Sequence, residues 1–204
     1  MATSLYVPNT WLLGSVDLNS VYTAGLVGAP FSTTTLPSVT IEQQLGQITG
    51  AWAANSLTSA VQSGWAEFIF LAIPTSTTVT AGLFYSWDAS TYDIIVVPTA
   101  TASHAVSGFP VAVAINAVSS NASSIQYTWF QVTGRCSTFR APTAGNFNIH
   151  LPLFVSGTTA GHIQSTASVF KAIIGARSAN LATVVSGTSA LWVYLNRPSI
   201  TSGI

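Results

Sequence analysis

The chain has 204 residues, of which 49% are hydrophobic and only 5% are Asp, Glu, Lys or Arg, with five acids balanced by five bases. Globular proteins ordinarily carry about 25% charged residues, so neutral hydroxyl, amide and small apolar groups must make up this surface. So few bases exclude a phosphate-tracking patch for nucleic acid, and a surface without net charge has nothing to hold copies apart, which points to life in an assembly.

Residues 1–64 are rich in Thr, Ser, Pro and Gly, with isolated apolar anchors such as Trp11, Phe31 and Trp52 and no sustained period. The stretch "APFSTTTLPSV" is extended chain, because its prolines and β-branched threonines disfavour helix. A short helix is possible around "IEQQLGQITGAWAANSLTSAVQ", weakened by Gly46 and Gly50. This segment is expected to be an N-terminal arm lying over its own domain or a neighbour, with disorder as the other reading. The N-terminus has no basic region ahead of an apolar one, so a secretory signal is not expected.

From Trp65 the pattern becomes short β-branched and aromatic runs punctuated by Gly, Pro, Asn and Ser. In order these are "WAEFIFLAIP", "TTVTAGLFYSW", "YDIIVVP", "FPVAVAINAV", "QYTWFQVTGR", "FNIHLPLFVS", "HIQST", "FKAIIGARSA" and "ALWVYLNRP". They predict an all-β fold: a single β-sandwich or β-barrel domain, jelly-roll-like, over residues 65–198, with a C-terminal tail at 199–204. Along "QYTWFQV" both alternating faces are apolar, so that strand is expected to be covered on both sides. No uninterrupted apolar run reaches the roughly 20 residues of a membrane-spanning helix.

A weak internal echo runs through this region. "GLFYSWDASTYDII" followed by "VAVAINAVSSNASSIQYTWFQV" resembles "PLFVSGTTAGHI" followed by "IIGARSANLATVVSGTSALWVYL". Aligning Ala114 with Ala176 brings Trp129 within one position of Trp192. Two such halves can close one barrel together, since neither buries a sheet face alone; convergence of two ordinary β patterns explains the echo equally well.

Few residues are equipped for chemistry. His104, His150 and His162 lack metal-ligand spacing, and the single cysteine, Cys136, excludes an intrachain disulfide and a thiol pair for zinc. Cys136 is read as a small core residue despite its neighbour Arg135. Asp88 and Asp93 in "WDASTYD" fit a hairpin turn, with Asp88 bonding its own backbone, better than a catalytic carboxylate pair. Catalysis needs clustered ionisable groups, so no enzyme and no cofactor are expected. Every acid precedes residue 94 and every base follows residue 134, a sorting that suggests attraction between the two halves or between copies.

The segments "AEFIFLAIPTSTTVTAGLFYSWD", "YTWFQVTGRC", "TAGNFNIHLPLFVSGTTAGHI" and "KAIIGARSAN" through "ALWVYLNRP" resemble small tailed-phage virion proteins, particularly capsid decoration or cement proteins. The resemblance covers roughly residues 65 to 197. Arg177 stands where that pattern has a small or apolar residue, and the arm has no counterpart. The resemblance implies an all-β structural protein, often a homotrimer, seated on the outer surface of the head and clamping neighbouring major capsid subunits. The single cysteine fits synthesis in the host cytoplasm, and the want of an uninterrupted apolar run leaves no membrane partner expected. Candidate interface residues are Trp11, Trp52 and Trp65, since Trp is enriched at binding hot spots, although a core position suits each of them equally, with the bases Arg135, Arg140 and Arg177. Other virion parts, namely tail, fibre or head spike, share such a composition. A carbohydrate-binding module stacking sugars on Trp87, Tyr92 or Trp129 is the reading from a different class.

Overall fold

The computed structural model describes residues 22–23, 45–55, 62–97, 108–140, 145–166, 171–180 and 189–201. The fold is all-β, two curled antiparallel sheets of the sandwich/barrel class. The strands are β1 (Tyr22–Thr23), β2 (Ile48–Asn55), β3 (Gln62–Ile73), β4 (Phe84–Trp87), β5 (Ile94–Val96), β6 (Val111–Ala114) and β7 (Gln126–Gln131). They continue as β8 (Thr133–Arg140), β9 (Pro152–Val155), β10 (Ile163–Gln164), β11 (Ala172–Ser178) and β12 (Ser189–Ile200).

Every β run expected from Trp65 onward contains a strand, but two expectations change. The possible helix is β2, paired residue for residue with β3 from Ile48↔Ile69 to Asn55↔Gln62. Gly46, at φ 76°, and Gly50 disfavour helix, and the long ladder supplies the backbone partners that a helix would have supplied internally. The run "QYTWFQVTGR" is two strands, β7 and β8, broken at Val132, with Gly134 at φ 85° just beyond the break. Of the expected arm, Tyr22 and Thr23 pair with Tyr127 and Gln126, so this piece lies on the chain's own sheet.

The internal echo has a structural counterpart that reaches further than the sequence match. One sheet contains the order β3-β7-β6-β4-β5, and the other β8-β12-β11-β9-β10, the same arrangement with each strand advanced by one set. All these neighbours are antiparallel. In both, the long central ladder has matching register: Phe70 faces Trp129 in one, and Thr138 faces Leu191 in the other. The second sheet closes into a barrel through a parallel pair, Ile163 to Arg140. The first has a parallel bridge at the equivalent place, Ala72 to Asp93. Each half thus curls on itself rather than completing its partner's barrel, because β3 and β8 supply each sheet with the strand that brings its ends together.

The halves nevertheless share a core. Leu71, Tyr85, Ala112 and Phe130 fill the first sheet, with Tyr85 edge-on to Phe130 at 5.6 Å. Cys136, Leu153, Ile173, Leu191 and Val193 fill the second, and they are joined there by Phe84, Val111 and Val113 from the first. Alternation along β4 and β6 therefore sends successive side chains toward different cores, which is why both strands are buried at every position, Ser86 being the one polar residue among them. β7 is likewise buried on both faces, with Phe130 inside and Trp129 against Phe70 at 5.0 Å on the other side.

Gly134 is the sharpest local requirement. A Cβ there would sit 2.6 Å from the Trp65 carbonyl oxygen and 2.9 Å from the Ala66 Cβ, at a φ that L-residues avoid. Gly134→Ala is expected to cost about 2 kcal/mol or more, read as a lowered urea midpoint at unchanged slope.

Candidate functional site

β2 lies at one end of its seven-stranded sheet and has β3 as its sole neighbour among the described residues. Its eight residues, "ITGAWAAN", carry no charge, so its outer backbone edge is a template for another strand. Trp65 of β3 stands opposite Trp52 in the ladder. The Trp65 indole lies against Gly50, where a Cβ would collide with the ring, and remains 52% exposed. Exposed Ile48 stands further along β2.

Two residues beyond Trp65, hence on the same face of β3, Glu67 meets Arg197 of β12. Nε and a terminal nitrogen of the guanidinium donate to the two carboxylate oxygens at 3.2 and 3.3 Å, and the closest approach is 3.1 Å. Arg197 reaches this position because β12 bulges: Leu195 pairs with Ala176, yet Ser199 already pairs with Ile174. Within the bulge Arg197 adopts φ 44°, a left-handed conformation rare for a non-glycine residue. Its N–H donates to the Val132 carbonyl (2.8 Å), the Val132 N–H donates to the Glu67 carbonyl (2.9 Å), and the Glu67 N–H donates to Thr133 Oγ1 (2.9 Å).

Arg197 borders two hollows. A polar concavity of about 480 Å³ is lined by Trp65, Glu67, Thr133, Asn196 and Arg197. An apolar pocket of about 160 Å³, also bordered by Arg197, is walled by Ile48, Ile69, Trp87, Val132 and Pro198.

The remaining interface candidates fall elsewhere. The Arg135 guanidinium sits over the rings of Trp192 (5.3 Å) and Tyr194 (5.8 Å) on the outer face of the second sheet. Tyr194 stacks on His150, whose carbonyl accepts from exposed Arg177 at 3.3 Å. Arg140 serves through its backbone, pairing with Ile163 and Ser189; its side chain and that of Trp52 lie outside the described residues, as does all of Trp11.

The chemistry expected of Asp88 and Cys136 matches their surroundings. Asp88 Oδ1 accepts from the Ser90 hydroxyl and from the Ser90 and Thr91 N–H groups, and these bonds hold its carboxyl below the usual range. Cys136 is fully buried, and desolvation pushes its thiol far above the ordinary value. Among the described residues no three His, Cys, Asp or Glu side chains gather as a metal site. Trp129 is 0% exposed and presents no face for stacking a sugar, and Trp87, 7% exposed, reaches only the small apolar pocket. No family model, curated protein or solved structure matches the chain.

Sequence reasoning missed the Glu67–Arg197 pair. The sorting of acids and bases hinted at attraction between halves, but nothing local selects partners 130 residues apart. Since both side chains remain substantially open to water, a double-mutant cycle of Glu67→Gln and Arg197→Gln is expected to give a coupling of under about 1 kcal/mol in urea unfolding, weaker still at high salt. Cys136 is expected to resist an aromatic disulfide reagent at pH 8 in the native protein and to react promptly once urea unfolds it.

Proposed function

We propose that the chain is a non-enzymatic structural protein of a tailed-phage virion, a decoration protein that sits on the outer surface of the head and reinforces contacts between major capsid subunits. The observation that carries this reading is the uncharged edge of β2, beside exposed Ile48. Backbone hydrogen bonds along such an edge, with apolar contact around it, bind a partner by strand addition and need no complementary charge. That suits a chain with 5% charged residues. The sequence resemblance to decoration proteins points the same way, and with it come a homotrimeric state and a place on the capsid surface.

Intact heads of the parent phage are expected to carry the protein through purification, and heads assembled without it to rupture at a lower temperature in a thermal-release assay. Heads of unchanged rupture temperature, or an icosahedral reconstruction placing the protein in the tail, would overturn the reading.

A further inference from the structure

We propose that the concavity beside Trp65 is a binding site for a neutral sugar unit, with Trp65 as the stacking wall and Glu67, Arg197 and Asn196 as hydrogen-bonding groups. The inference is independent of the virion reading, because it concerns the isolated chain.

The aromatic wall comes first. The Trp65 ring is held against Gly50 while half its area stays open, so a ligand meets a surface whose orientation is already fixed. A pyranose has a face of C–H groups that packs on such a ring, while its hydroxyls point outward to polar partners.

The polar partners are of both kinds. Glu67 accepts, Arg197 and Asn196 donate, and Thr133 Oγ1, already accepting the Glu67 N–H, retains its own O–H to donate. Adjacent sugar hydroxyls each donate and accept, so they suit a carboxylate and a guanidinium lying side by side. Because that pair carries no net charge, it gives no attraction for a phosphate or carboxylate ligand. An apolar peptide segment is disfavoured as well, since it would strip water from four polar side chains without replacing their hydrogen bonds. The hollow is shallow and largely open to solvent, which suits one sugar ring laid on the indole rather than an enclosed ligand.

The backbone is arranged for this corner at a cost in strain. Arg197 is left-handed, β12 bulges around it, and Gly175, at φ 78°, makes room for the Asn196 carbonyl, which a Cβ would approach to 2.5 Å. Strained conformations of this kind persist where a side chain must be aimed.

The test titrates the purified full-length protein with lactose, maltose, cellobiose and diacetylchitobiose, following tryptophan fluorescence and saturation-transfer NMR. At least one disaccharide is expected to saturate with a millimolar Kd and to show transfer to its ring C–H protons. Trp65→Ala and Asn196→Ala, each checked for native circular dichroism, are expected to bind about tenfold more weakly, and Trp65→Phe to keep most of the affinity. Failure of all four sugars to saturate by about 50 mM overturns the proposal, as does a Trp65→Ala protein that binds like the parent. If no sugar binds and Trp65→Ala instead dissociates an oligomer seen by light scattering, Trp65 is an assembly contact and the sugar site is rejected. Head-binding and thermal-release results bear on the virion reading alone.

Discussion

The structure turns on one residue's backbone, that of Val132, at the point where the chain leaves the first sheet for the second. Its N–H donates to the Glu67 carbonyl and its carbonyl accepts the Arg197 N–H, so β3 and β12 are both tied to the crossing. A buried backbone group left without a partner is costly, and here neither group of Val132 is left over. Gly134 then carries the chain past the Trp65 carbonyl at a φ open to glycine. Buried Gln131 completes the junction: its Nε2 donates to the Thr133 and Arg135 carbonyls at 2.8 and 3.2 Å. Carbonyls at the start of β8 are thereby satisfied by a side chain rather than by another strand.

With the crossing fixed, the two curled sheets face each other through β4 and β6, and this explains much of the composition. A small five-stranded sheet standing alone would have one buried face and little core. Here Phe84, Val111 and Val113 lend the outer face of the first sheet to the core of the second. Strands buried on both faces take uncharged residues at nearly every position, mostly apolar with a few such as Ser86, Thr128 and Gln131, and so leave few places for charges. The pseudo-repeat is also asymmetric in a consequential way. β2 extends the first sheet beyond the repeated unit and offers an edge, whereas the second sheet is closed on itself by β10.

The legible parts of this fold were those set by neighbours in sequence. Alternation and turn residues marked the strands, the Asp88 turn followed from a side chain bonding backbone two and three residues on, and the burial of Cys136 followed from the want of an adjacent His or Asn that would make it a nucleophile. The echo was visible because Trp129 and Leu191 occupy equivalent ladder positions, with Trp192 one step along. What stayed hidden depends on distant partners. β2 sets Ile48 and Trp52 among small residues without a sustained period, and only its ladder with β3 makes it a strand. The break at Val132 leaves one glycine as its sequence trace, and the Glu67–Arg197 pair needs a bulge in β12 that no local pattern announces. Arg135 and Arg177, conspicuous in a chain so poor in bases, contact their own sheet through Trp192, Tyr194 and the His150 carbonyl.

The β2 edge, unpaired among the described residues, and the polar concavity belong to the same β2–β3 ribbon, yet a ligand at one would not obstruct a ligand at the other. A strand added to β2 lies in the plane of the sheet, about 4.8 Å beyond β2 and about twice that from β3. Trp65, Glu67 and the concavity stand on a face of β3, across from β12, and an in-plane strand leaves that face open. Edge binding depends on backbone groups and tolerates almost any uncharged sequence, while the concavity depends on particular side chains held by a strained bulge. A protein fastened to a larger particle through its edge would therefore keep the Trp65 face turned to the surroundings. In a surface so nearly uncharged, that face holds the one ion pair found among the described residues, fixed beside the exposed indole.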